Sequence, residues 1–153
     1  MGHFVTGLVA KQQTLQAFAS QHSLHQPIAL SGGLHILPLR DEDLDSFLPL
    51  PLDGHCKGFA HLSSQLIETL LKASEVGSLI YFETEYHGGS GGQGAVAFSN
   101  GKIALEPQSA EFGPINTALQ FLGVRTVPPA HDEFETVGLD RHRYTEDWLE
   151  IDE

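Results

Sequence analysis

Between Leu79 and Glu106 the chain alternates at the strand period and carries its own tight turn, which commits this stretch to an antiparallel meander. Leu79 to His87 places Ile80, Phe82, Thr84 and Tyr86 on one face and Tyr81, Glu83, Glu85 and His87 on the other. Asn100-Gly101 is the pair that suits a type I′ turn, because both central residues of that turn need positive φ. A two-residue loop there opposes Ser99 with Lys102, Phe98 with Ile103, Ala97 with Ala104, and Val96 with Leu105. Gly88-Gly89-Ser90-Gly91-Gly92 is expected to be a loop leading into a strand from Gln93 to Ser99. On that register Val96, Phe98, Ile103 and Leu105 join the apolar face. Gln93, Ala95, Ala97, Ser99, Lys102 and Glu106 join the carboxylates.

The remainder supplies partners for this sheet. Phe4 to Ala10 predicts a strand, and Gln12 to His22 a helix with Leu15, Phe18, Ala19 and His22 along one stripe. Pro27 to Leu30 and Leu34 to Leu37 are two extended runs about Ser31-Gly32-Gly33, either a hairpin or one strand with a bulge. Asp41 to Asp45 suits the acidic first turn of a short helix. Ser63 or Ser64 caps a helix with Leu66, Ile67, Leu70 and Leu71 on its apolar side. Gly113-Pro114 opens another that Gly123 closes. Short helices are expected over Asp132 to Val137 and Thr145 to Ile151. The expected architecture is one α+β domain over residues 1–153, an antiparallel sheet including a C-terminal-half three-stranded meander, with helices packed on one face.

Charge narrows the partners. Twenty Asp and Glu against eight Lys and Arg give −12, with nine acids and two arginines falling after Pro129. Such a surface opposes nucleic acid, whose binding rests on cations neutralising phosphates, and it opposes anionic membranes equally. It favours a basic protein partner. A lone cysteine, no basic leader and no apolar run near ~20 residues point to a cytoplasmic protein.

Glu83 and Glu85, two apart on one strand, stand ~7 Å apart and point the same way. Such a pair can divide into general acid and base beside His87, chelate a cation, or sit on a wet sheet face. Tyr81, Tyr86, His87 and Gln93 lie near enough to share that surface. Asp132, Glu133 and Trp148 could extend it. Gly89 to Gly94 spells G-x-G-x-x-G, but more strand follows rather than the helix that holds a pyrophosphate, so no dinucleotide or other cofactor is expected. The nine histidines lack metal-ligand spacing, and no metal is expected. Cys56, between His55 and Lys57, is a candidate for a lowered thiol pKa or an inert side chain.

Tyr81 to Tyr86 with its glycine loop, Gly113-Pro114-Ile115-Asn116, and Gly138 to Trp148 resemble small uncharacterised bacterial cytosolic proteins. In size, acidity and α+β make-up the chain is similar to bacterial toxin-immunity proteins. The expectation is a non-enzymatic acidic binding protein, immunity-like, that masks a basic protein partner. The alternatives are a small hydrolase or isomerase working through Glu83, Glu85 and His87, and a homodimer paired along Lys102 to Glu106.

Overall fold

The computed structural model of the chain describes residues 2–149. Among them, strands β1 (Thr6–Lys11), β2 (Ile28–Ala29), β3 (Leu34–Pro38), β4 (Leu79–His87), β5 (Ser90–Ser99) and β6 (Lys102–Ala110) form one antiparallel sheet in the order β2-β3-β1-β4-β5-β6. The α+β class and the β4-β5-β6 meander stand as expected. Ile28 and Ala29 pair with β3 across a 3-10 turn at Ser31–Gly33, so the early extended runs form a hairpin.

The helices occupy both faces rather than one. Helices α1 (Gln12–His22), α2 (Asp41–Phe47) and α3 (Ser64–Ala73) cover a core that includes Leu8, Tyr81, Val96 and Phe98. Helices α4 (Pro114–Phe121), α5 (Glu133–Val137) and α6 (Thr145–Trp148) cover another that includes Val9, Ile80, Phe82 and Ala97. The cause lies in the strands themselves. Leu8-Val9-Ala10 and Leu79-Ile80-Tyr81-Phe82 are apolar at successive positions, and a strand apolar on both sides must be covered on both sides. The expected alternation holds only towards the C-terminal end of β4, where Glu85 and His87 are exposed.

Turn geometry shifts the register. Gly88 and Gly89, at φ 56° and 97°, make the two-residue turn, so His87 opposes Ser90 and β5 starts earlier than expected. Tyr81 therefore opposes Val96, and Phe82 opposes Ala95. Glycine is required within this hairpin at position 91, where a Cβ would stand 2.0 Å from the Glu85 carbonyl oxygen. The Asn100-Gly101 turn keeps Ser99 opposite Lys102 and Phe98 opposite Ile103, but Ala97 then meets Leu105 rather than Ala104. That bulge sends Ile103 and Leu105 to different cores. The open edge of β6 carries Lys102, Glu106, Pro107 and the bulge, all of which oppose the edge-to-edge pairing that a homodimer through this strand requires.

The caps follow the sequence. Ser63 Oγ accepts from Leu66 N–H at 3.2 Å, Pro114 opens α4, and Asp132 accepts from Glu135 N–H at 2.9 Å. The last segment is tied to the start of β1. Phe4 N–H donates to Arg143 O, Thr145 N–H to Phe4 O, and Thr6 N–H to Thr145 Oγ1. The expected helix from Thr145 to Ile151 is seen as α6, and its final residues lie outside those described. Among the described residues no helix is long and apolar enough to cross a membrane.

Candidate functional site

Where β1, β4 and β5 run past the helices, the sheet, the start of α2 and the C-terminal segment enclose a cleft of about 410 Å³. Side chains on the sheet are small there, with Thr6 opposite Glu83 and Gly94 beside it. A Cβ on Gly94 would come within 2.5 Å of the Phe59 ring, so glycine lets the preceding loop lie close to the strand.

Glu83 is 7% exposed, and its carboxylate accepts from Ala60 N–H at 2.6 Å, His61 N–H at 2.9 Å and the Tyr81 hydroxyl at 2.5 Å. It fixes the loop before α3. Burial, followed by the Glu83 charge, pushes the Tyr81 hydroxyl pKa well up, so tyrosine stays the proton donor of this pair. Glu85, by contrast, is exposed, 3.5 Å from His87. The two carboxylates expected as a pair thus have separate environments and separate tasks.

The cleft mouth is acidic. Asp41, Glu42, Glu85 and Glu146 line it and are exposed. Arg40 also lines it, yet its guanidinium is engaged twice at 3.0 Å by Asp43. For Asp43 burial alone would raise the pKa; the hydrogen bonds and charge of Arg40 reverse that and hold it low. One wall is aromatic. Phe4 and Tyr144 both line the cleft and stack with centroids 5.8 Å apart, and the His87 ring meets Phe4 edge-on at 4.8 Å. Carboxylates beside the exposed Tyr144 ring attract an organic cation by charge and by the ring quadrupole together.

Gln93 borders this cleft and also a second one of about 310 Å³, which includes Tyr86, Phe112, Asp132 and Phe134. Its polar groups are mutually engaged. Gln93 Nε2 donates to the Tyr86 hydroxyl, which donates to Glu111 O, while Gln93 Oε1 accepts from Ile115 N–H. Asp132 accepts from Asn116 Nδ2 at 3.2 Å, and the neighbouring Glu133 accepts from Gln120 outside the cleft. Tyr81 and Trp148 are fully buried, so neither offers a surface contact. Trp148 lies in the α4–α6 core with His142 edge-on at 4.7 Å. Of the expected surface, Glu85 and His87 remain as exposed side chains at the acidic cleft and its shallow extension.

Phe4, Asp41, Glu42, Tyr144 and Glu146 were not in the expected site. Asp41 and Glu42 read as a helix start, and nothing local in the sequence signals that Tyr144 lies against Phe4. Cys56 is not activated: burial, and then the charge of Glu83, raise its pKa. The glycine loop is the β4–β5 turn, followed by strand rather than helix. Among the described residues no group of three or more His, Cys, Asp or Glu side chains is placed to hold a metal ion. Compared with family models, curated proteins and solved structures, the chain matches none.

His3 adds a pH response. Its Nδ1 lies 2.7 Å from Thr84 Oγ1, which accepts from Val5 N–H at 2.9 Å. Burial lowers its pKa below 6.5, outweighing the opposing effects of the Leu139 backbone and then of the Asp140 charge. The unfolded chain therefore takes up this proton first on acidification. The His3 contribution is complete above about pH 6.5 and is lost below it, until the folded histidine itself protonates. Urea midpoints should fall between neutral pH and pH ~5, and His3→Gln should flatten part of that slope, with His22, also lowered by burial, retaining the rest. An unchanged slope in His3→Gln would remove His3 from this account.

Proposed function

We propose that the chain is a non-enzymatic, cytosolic, immunity-like binding protein that masks a basic protein partner by taking a cationic side chain into the acidic cleft. The observation that carries this reading is one arrangement. Asp41, Glu42, Glu85 and Glu146 surround a concave space walled by Phe4 and Tyr144, while the arginine within it is already engaged by Asp43. A guanidinium or ammonium group entering there gains charge pairing at the mouth and a ring face beside it. The −12 net charge steers such a partner from a distance before contact. The hydrolase or isomerase alternative draws no support from Glu83, whose oxygens already accept from three donors.

Affinity capture from lysate of the source cell tests this, comparing the wild type with Asp41→Asn/Glu85→Gln/Glu146→Gln. All three side chains are exposed, so the variant should keep the fold. Glu83→Gln would be a poor control because it disturbs the loop. The expected result is one stoichiometric basic protein held by the wild type and lost by the variant. Its association rate should fall about tenfold or more as salt rises from ~0.05 M to ~0.5 M. Equal capture by the variant, or a rate indifferent to salt, would overturn the reading.

A further inference from the structure

A cavity of about 590 Å³ lies apart from both clefts, between the 3-10 turn at Ser31–Gly33, the end of α4 and the approach to α5. This volume is in the range of small-molecule sites. Leu34, Leu122, Val124, Val127 and Val137 give it aliphatic walls. Its charged lining consists of Lys11 and Arg125, with no carboxylate among the lining residues. That composition runs against the whole chain, which carries twenty acids and eight Lys and Arg.

The fold accounts for the arrangement. The β1–β3 register sets Lys11 opposite Leu34, hence on the same face. At the end of α4, Gly123 takes φ 94°, and the N–H groups of Leu122, Gly123 and Val124 bond back to Ala118, Gln120 and Leu119. Three of the last four carbonyls at this negative helix end are thereby occupied. Both rims are pinned. Val127 N–H donates to Thr136 Oγ1 at 3.1 Å, and Arg141 donates to Ala29 O and Ser31 Oγ on the far side. Gly32 and Gly33 leave open space, since a Cβ on either would meet nothing within 4 Å. Among the described residues the Lys11 and Arg125 side chains make no ion pair and no hydrogen bond, although acids are abundant elsewhere. Two unpaired cations beside a pinned, acid-free, aliphatic cavity match one chemistry, an apolar chain ending in a negative group.

The geometry points to a binding site for a small amphipathic anion, an aliphatic carboxylate whose chain lies against Leu34, Leu122 and Val124 and whose head meets Lys11 and Arg125. This site is separate from the acidic cleft and does not depend on how the cleft is used. Octanoate is the probe, with octan-1-ol as its uncharged counterpart, titrated by calorimetry and by amide chemical shifts. Octanoate should bind saturably at one site and shift the amides of Leu34 and Val124. It should bind about tenfold or more tightly than octan-1-ol, since the charged head gains two charge-assisted contacts. Lys11→Gln/Arg125→Gln should erase that preference with the melting temperature unchanged, because both side chains are exposed. Equal affinity for the acid and the alcohol, shifts elsewhere, or a preference that survives the double variant would each overturn the assignment.

Discussion

Glu83→Ala is expected to lower stability by about 3–5 kcal/mol, because it strips acceptors from two backbone N–H groups and a buried phenol at once. Leaving the buried Tyr81 donor unsatisfied costs ~1–3 kcal/mol, and the part-buried amides of Ala60 and His61 each lose a bond to a charged acceptor. For a domain of this length the loss corresponds to a fall of ~10 °C in melting temperature. The effect should be local as well as global. Cys56 belongs to the tethered loop, with its N–H on Leu62 O and its carbonyl accepting from Phe59 N–H. Releasing that loop, and removing the Glu83 charge that helps hold the thiol pKa up, should speed the reaction of Cys56 with a thiol reagent. Tyr81→Phe removes one donor and keeps the carboxylate, so its cost should be nearer ~1 kcal/mol. A loss below ~1 kcal/mol in Glu83→Ala, with Cys56 reactivity unchanged, would show that the loop is held by other contacts.

Trp148→Ala should be equally severe, at about 3–5 kcal/mol, by emptying the core that α4, α5 and α6 share. The ring is wholly buried, and the turn that carries it secures the C-terminal segment beside β1. Trp148→Phe should cost less, since it keeps a ring in place and Trp148 Nε1 has no hydrogen-bond acceptor among the described residues. An aromatic anchor for a partner would behave oppositely, losing affinity while stability stayed near wild type. Denaturant unfolding of the two variants separates these behaviours. The Ala variant should also lose the Tyr144 and Glu146 edge of the acidic cleft, coupling this core to the proposed contact surface.

Much of the architecture was legible because its signals are local. The α1 stripe, the serine cap of α3, Pro114, Asp132 and the Asn100-Gly101 turn each act within a few residues, and each stands where the pattern placed it. The second covered face was also written in the chain, in Leu79-Ile80-Tyr81-Phe82. All four side chains are buried, whereas a simple alternation buries every second one. The turn at Gly88-Gly89 then puts Val96 and Phe98 on the face of Tyr81 rather than that of Ile80 and Phe82, because strand faces have a period of two. The candidate site was much less legible. Glu83 became a buried clamp through amides more than twenty residues earlier, and Tyr81 followed it inside. The cleft draws Phe4, Asp41, Glu85 and Tyr144 from four distant segments, and only the fold brings those together.

The most direct test of the acidic cleft is an amide chemical-shift titration with a short arginine-rich peptide, run on the wild type and on Asp41→Asn/Glu85→Gln/Glu146→Gln. The account predicts saturable shifts centred on Phe4, Asp41, Glu85, Tyr144 and their neighbours, weakened by salt and abolished in the variant. Shifts of equal size in the variant, or spread over acidic residues remote from the cleft, would contradict it.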